Sequence, residues 1–411
     1  MVIMKKKQIL LSPVGSWEMF YAAIEAGADA VYLGIKGLNM RYTAKNFTTS
    51  DLKRITKIAH EHKVEVYLTV NIVVYDKELN KIKKIIEKAK EAKVDAIIAW
   101  DLSVIDYCRK LKMTVHLSTQ ASVSNINAIK LYHNLGIKRF VLARELTLEQ
   151  VKKIIKESKK IDPKIEIEAF IHGAMCVSVS GRCFLSEFLY GEKTSANRGK
   201  CIQPCRRKYI IKDPETQKEL EVHNNYILSP KDLCTLPFID LLIKAGIKVF
   251  KIEGRGRSPE YVKVVTEVYR EAIDAYYKKK LTKELKDKLL KKLGTVYNRG
   301  FSNGFYMGKP INEWTDSYGS KATIKKKYVG KVIKIFKKIN VVEIKLDNNE
   351  LKTNDNILII GPNTGVIEQK IESMQFDVGK PTNIAKKGDS VAIKIKESKL
   401  PKRADKVYLF Q

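Results

Sequence analysis

No stretch of the 411 residues approaches the ~20 consecutive apolar residues that cross a bilayer as a helix, so no membrane span is expected. The basic residues of Met1–Lys7 are followed by an apolar run that stops at Pro13 and Gly15, which is too short for a secretory leader; a cytoplasmic location is expected. Acidic residues are scarce: 46 Asp and Glu stand against 77 Lys and Arg, a net charge of +31. A surface adapted to heat would raise Glu along with Lys, so the imbalance points instead to a polyanionic partner, RNA or DNA. The charge is dispersed, with no block long enough to be a basic tail. Several catalytic patterns are missing. There is no HExxH and no GxSxG, and the Gly-Arg-Gly-Arg run at 254–257 lacks the Lys-Ser/Thr of a P-loop.

Cysteine is sparse, and its placement is informative. Of six cysteines, Cys176, Cys183, Cys201 and Cys205 lie close together, Cys234 follows, and Cys108 stands apart on an expected helix as a core residue. In a reducing compartment such a cluster means metal or redox chemistry more often than disulfides. The spacings match neither the short repeats of ferredoxins nor the CxxC pairs of zinc ribbons. From the residues alone, an iron–sulfur cluster, a zinc staple and buried free thiols all stay open. Arg182, Arg198, Arg206 and Arg207 would offset the charge of a cluster.

A chain of this length exceeds one typical core. Eight β-branched runs are expected as strands: 8–11, 30–34, 64–70, 96–100, 114–117, 139–143, 165–171 and 248–252. Amphipathic helices are expected at 16–26, 52–62, 77–92, 126–135, 148–159, 259–279 and 283–293. Ser16, Ser50, Ser124 and Thr147 are the N-cap candidates, and Gly27 and Gly136 the helix stops. Strands alternating with helices imply a parallel sheet, and eight units suggest a closed (β/α)8 barrel, with an open doubly wound sheet as the alternative. The expected organisation is a barrel domain over residues 1–295, with a Cys-rich insertion at about 172–235. A linker at 296–321 and a small basic all-β barrel at 322–411 follow. That last segment carries 20 Lys and Arg against 10 acids from Lys321 onward.

Active sites of such barrels lie at the C-terminal ends of the strands, where the insertion emerges. His172, Arg144, Glu145, Glu253 and Arg255 fall at these ends and are the candidate catalytic residues. Asn71, His116 and Ser118-Thr119-Gln120 fall there too. His172 could act as acid, base or ligand, or simply pack against the loop. Arg144 and Arg255 suit a carboxylated ligand, since guanidinium and carboxylate pair as forks. A thiol protease is conceivable from Cys and His, but nothing singles out one cysteine as nucleophile.

The run Glu168-Ala-Phe-Ile-His-Gly-Ala-Met-Cys-Val-Ser-Val-Ser-Gly-Arg-Cys183 closely resembles the signature of the peptidase U32 family. Supporting segments are Leu11-Ser-Pro-Val-Gly-Ser-Trp-Glu18, Ala26-Gly-Ala-Asp-Ala-Val-Tyr-Leu-Gly34, Asn197-Arg-Gly-Lys-Cys-Ile-Gln-Pro-Cys-Arg206, Ser229-Pro-Lys-Asp-Leu-Cys234 and Lys251-Ile-Glu-Gly-Arg255. The resemblance implies two kinds of activity. Collagenase-like members give the family its peptidase label. Other members are prephenate-dependent tRNA and ribosomal RNA hydroxylation proteins, and ubiquinone-biosynthesis hydroxylation proteins that bind 4Fe–4S clusters. By resemblance, Cys176, Cys183 and Cys234 fall on cluster-ligand positions, with Cys201 or Cys205 as the fourth. The expected function is therefore hydroxylation of a base in structured RNA, a tRNA wobble uridine or an rRNA base. It would use a 4Fe–4S cluster, prephenate or another carboxylated donor, and an electron-donor protein. The alternatives are an endopeptidase acting on unfolded polypeptides and a zinc-stabilised, non-catalytic RNA-binding protein.

Overall fold

The computed structural model describes residues 7–220, 226–311, 313–376, 379–397 and 399–411. Eight parallel strands close into a barrel: Ile9–Pro13, Ala30–Gly34, Glu65–Thr69, Ala96–Ala99, Val115–Leu117, Arg139–Val141, Glu166–Gly173 and Val249–Ile252. Each pairs with the next, and the eighth pairs with both the seventh and the first. All eight expected strands are present, and the open-sheet alternative is excluded by this closure. Their near-continuous apolar sequences follow from burial on both faces, inside the barrel and under the helices. Ala30–Gly34 is buried at every position.

Local signals set most helix starts. Ser16 accepts from the Met19 N–H, and Thr147 forms a capping box with Gln150. Two N-cap expectations need correction. Asn125, not Ser124, caps Ile126–Asn134, and Thr48 with Asp51 precedes Leu52–Glu61 in place of Ser50. At the first, Asn125 Oδ1 accepts from the Ala128 N–H; at the second, the Asp51 carboxylate accepts from the Thr48 N–H. Helices Leu102–Lys110 and Ile239–Ala245 complete the ring.

The main apolar core is the layer between strands and helices. The barrel interior is different. It holds a small apolar cluster around Tyr32, Tyr67 and Ile98, and above it a buried ion pair, with Lys251 Nζ 2.7 Å from Glu168 Oε1. Arg139 joins this network through Glu166 and the Tyr67 hydroxyl.

After Gly173 the chain leaves the barrel mouth and returns as Asp232–Cys234. That segment runs antiparallel to the seventh strand, with Cys234 opposite His172. The insertion is thus clamped at its root. Gly173 lies at φ +108, where a Cβ would stand 2.7 Å from the Glu253 carbonyl oxygen, so the exit from the strand requires glycine. Within the insertion Ile211–Lys212 pairs antiparallel with Glu219–Leu220. Phe301–Ser302 then pairs alongside Asp232–Leu233.

From Lys326 onward the structure is all-β. An eight-stranded antiparallel sheet includes Lys326–Phe336, Val341–Leu346, Asn356–Gly361, Gly365–Lys370, Ser390–Lys394 and Lys406–Phe410. It curls around its own core of Val, Ile and Leu side chains. Leu358, Ile360, Val366 and Phe410 bury a second face against Ala22 of the first barrel helix.

Candidate functional site

The barrel mouth and the insertion enclose a cavity of about 240 Å3. Cys176, Cys183, Cys201 and Cys205 all line it, together with Arg41, Arg144, Arg206, Arg257 and Glu253. Cys176 is exposed and the other three are half-buried. Burial pushes the Cys205 thiol up, Arg206 pulls it down, and its neighbours Cys176, Cys201 and Cys183 push it up again, so the four sulfurs share one field. The Gln203 N–H points at Cys201 Sγ at 3.3 Å, the kind of backbone donor that tunes a ligating sulfur. Among the described residues no three His, Cys, Asp or Glu side chains converge as one metal ion would require.

The insertion is held in place by its arginines. Arg198 forks onto Glu78 and stacks on Tyr75. Arg182 stacks on Trp100 and donates to the Gln120 carbonyl. Arg206 donates to the Pro230 and Met175 carbonyls. Gly199 passes so close to the loop after the second strand that a Cβ would lie 2.2 Å from the Asn39 carbonyl oxygen.

Glu253 organises the arginine side of the cavity. A register shift between Lys251 and Ile252 re-aims the end of the eighth strand. Glu253 then accepts from Arg41 Nη2 at 2.8 Å and from the Ala174 N–H at 3.3 Å. Burial resists its ionisation, but Arg41 and Arg257 outweigh burial and hold the carboxyl down at about 2. Arg144 stacks over Phe170 at 4.6 Å and anchors one nitrogen on the Ala174 carbonyl, 3.0 Å away. Its Nε and Nη2 are buried without a partner. Two N–H donors beside four thiols are therefore free for an anion.

The structure corrects four expected site residues. His172 is 1% exposed and does not line the cavity. Its ring sits among Tyr261, Tyr269 and Phe301, and burial, then Arg257, push it down to about 3, so it stays neutral. This is the packed histidine, not an acid/base. Glu145 is exposed on the outside of the mouth. Arg255 turns away from the cavity and donates to Thr69 Oγ1 at 2.9 Å, burial drawing its guanidinium down to about 10. Cys234 is 1% exposed, with Sγ 3.8 Å from the Tyr269 hydroxyl, and burial pushes its thiol up to about 11. It packs in the layer between strands and helices and does not line the cavity that the four other clustered cysteines share. Arg144 and Glu253 do reach the cavity. Cys108 is core, as expected.

Arg41 and Arg257 were not among the expected site residues. Arg257 shares the Gly-Arg-Gly-Arg run with Arg255, so the run was visible but not which arginine faces in. Arg41 follows the second strand at a distance no local pattern marks. His116 lies in the barrel interior against Tyr67, and Asn71 is buried bonding Ser118 and Gln120.

A (β/α)8 barrel whose mouth carries a four-thiol, arginine-rich cavity on an insertion after the seventh strand defines the class. A sequence profile of peptidase family U32 matches residues 15–316, and the chain belongs to that family. The chain is 45% identical over 408 residues to a protein of Porphyromonas gingivalis named collagenase, covering 98% of this chain and 97% of that one. It is 32% identical over 392 residues to tRNA hydroxylation protein P1 of Bacillus subtilis, covering 93% and 90%. It is also 35% identical over 275 residues to the 23S rRNA 5-hydroxycytidine C2501 synthase of Escherichia coli, covering 67% of this chain and 40% of that protein. No helix among the described residues is long and apolar enough to cross a membrane.

Proposed function

We propose that this protein is an iron–sulfur enzyme that hydroxylates a base of structured RNA, with Cys176, Cys183, Cys201 and Cys205 as the cluster ligands. The observation that carries this reading is the sharing of one cavity by these four thiols at the face where barrel enzymes work. Several thiols on one cavity wall are the donor type that iron–sulfur clusters take, with Gln203 N–H as a backbone donor to one of the sulfurs. When bound, the cluster would supply electron transfer or oxygen-atom chemistry. The protein's own residues supply the rest. Arg41, Arg144, Arg206 and Arg257 offset thiolate charge, and the free N–H groups of Arg144 offer a fork to a carboxylated small molecule, prephenate or a relative of it. Glu253 fixes Arg41 so that the cavity keeps its shape with or without that ligand. The relatives named for tRNA and rRNA hydroxylation and the net charge of +31 agree with an RNA substrate. An electron-donor protein completes the proposal.

The second reading is an endopeptidase, favoured by the relatives named collagenase. The geometry gives it little support as a thiol protease. His172 and His116 are buried away from the cavity, and no cysteine among the described residues is hydrogen-bonded to an imidazole.

The test is an oxygen-free purification with a visible spectrum, iron and sulfide analysis, and nucleoside analysis of RNA incubated with the protein. A brown protein with about four irons per chain and a new hydroxylated nucleoside are expected. A colourless, iron-free protein that degrades gelatin would reverse the assignment.

A further inference from the structure

A second cavity, of about 210 Å3, shares Met175, Cys176 and Val177 with the thiol cavity but has a different character. Its distinctive walls are the side chains of Phe305 and Trp314, with Pro230 and Pro310 beside them. The walls are built rather than incidental. Trp314 pairs with Pro230 in an antiparallel bridge, flanked by Lys231 N–H to the Glu313 carbonyl at 2.9 Å and Thr315 N–H to the Ser229 carbonyl at 2.8 Å. Phe305 packs on the cluster formed by Phe170, Met175 and Leu233. Gly304, at φ +56, lets the chain turn where a Cβ would lie 3.0 Å from Leu233 Cδ1. Yet Trp314 remains 41% exposed, its ring open to the groove.

Two polar groups stand at the rim. Glu313 is paired with Lys231 at 3.3 Å, which keeps a carboxylate acceptor beside the aromatic walls. Lys309 is exposed and forms no ion pair among the described residues. Flat aromatic walls, one carboxylate and one free cation match the three faces of a nucleotide. The ring stacks, its N–H edge donates to the carboxylate, and its phosphate meets the lysine.

We propose that this groove receives an unpaired base of the RNA substrate. The base stacks on Trp314, presents its N–H edge to Glu313, and lies against the wall that carries Cys176. The inference rests on the RNA-hydroxylation reading and deepens it. The arginine cavity and the aromatic groove would hold the two reactants on either flank of the same thiol-bearing segment. An enzyme that modifies a base must take it out of its stack, and the groove offers the replacement stack.

The experiment compares full-length wild type, Trp314→Phe, Trp314→Ala and Lys309→Glu. Each is titrated with a labelled stem–loop RNA that carries unpaired loop bases and, separately, with gelatin fragments. Tryptophan emission and the anisotropy of the labelled RNA are read, and folding is checked by circular dichroism. RNA should quench the wild type. Trp314→Phe should lose that quench yet bind within about threefold, because a benzene ring still stacks. Trp314→Ala should bind roughly tenfold more weakly or worse. Lys309→Glu should also weaken binding and shallow the salt dependence by about one phosphate contact. If wild type binds RNA and a folded Trp314→Ala binds it equally, the groove is not the base site while the RNA reading stands. If wild type binds no RNA, both readings fall, and quenching by gelatin fragments would then assign the groove to a polypeptide side chain.

Discussion

Replacing Cys234 by serine should leave the iron of an anaerobically prepared protein unchanged, whereas Cys205→Ser should remove it. The family resemblance favours Cys234 as a ligand, and the structure opposes it on two grounds. Cys234 does not line the thiol cavity, and its Sγ faces the Tyr269 hydroxyl in the packed layer between strands and helices. Its thiol is pushed up to about 11 by burial. Burial of this kind disfavours the thiolate that a metal needs. A metal must overcome that cost and also draw the sulfur out of a packed core. Cys205 lines the cavity together with the other three cysteines. Iron per chain should stay near ~4 in Cys234→Ser and fall below ~1 in Cys205→Ser. Because a hydroxyl can keep the contact with Tyr269, Cys234→Ser should shift stability by no more than ~1–2 kcal/mol in a denaturant titration. The reasoning is refuted if Cys234→Ser is colourless at an unchanged denaturation midpoint while Cys205→Ser stays brown.

Three further outcomes are expected. Lys251→Met should destabilise the protein by ~3–5 kcal/mol, because it strands the fully buried Glu168 without its cation, and adding Glu168→Leu should recover most of the loss; chemical denaturation of the three variants decides it. Glu253 is held at about 2 against an ordinary 4.5, so its folded-state pKa is depressed. It therefore contributes on the order of 3 kcal/mol that is fully present above pH ~4.5 and lost as pH falls toward ~2. Glu253→Gln should be the less stable protein at neutral pH, and its deficit should vanish on acidification; parallel midpoints at every pH would contradict this. RNA binding should weaken steeply with salt, linearly on a log–log plot, and a flat response would remove the phosphate-contact basis of the proposal.

Much of the fold is legible because strand and helix periods are local. Ala30–Gly34 and the capping box at Thr147 carry their own instructions in adjacent residues. Ser124 shows the limit of that locality, since its neighbour Asn125 accepts from the Ala128 N–H in its place. The site is less legible. Arg255 and Arg257 sit two residues apart in one glycine-flanked run, yet one bonds Thr69 beneath the cavity and the other faces into it. Their directions follow from the shifted register at the end of the eighth strand and from Gly254 at φ +157, neither of which has a sequence period. Arg41 enters only because the loop after the second strand folds back under Gly199.

By itself the sequence determined the eight alternating strand–helix units, the place where the insertion leaves them, the all-β character of the C-terminal part and the excess of positive charge; closure into a barrel was left to the tertiary pairing of the eighth strand with the first. Alternation, capping and composition are properties of neighbouring residues, and they survive in any reading of the chain. Tertiary structure alone decided which cysteines share a cavity. The pairing of Asp232–Cys234 against the seventh strand sends Cys234 into the core, while a loop without regular spacing brings Cys176, Cys183, Cys201 and Cys205 to one side of it. Convergence of that kind depends on long-range contacts whose energy is settled only when the whole chain has packed, so no local pattern announces it.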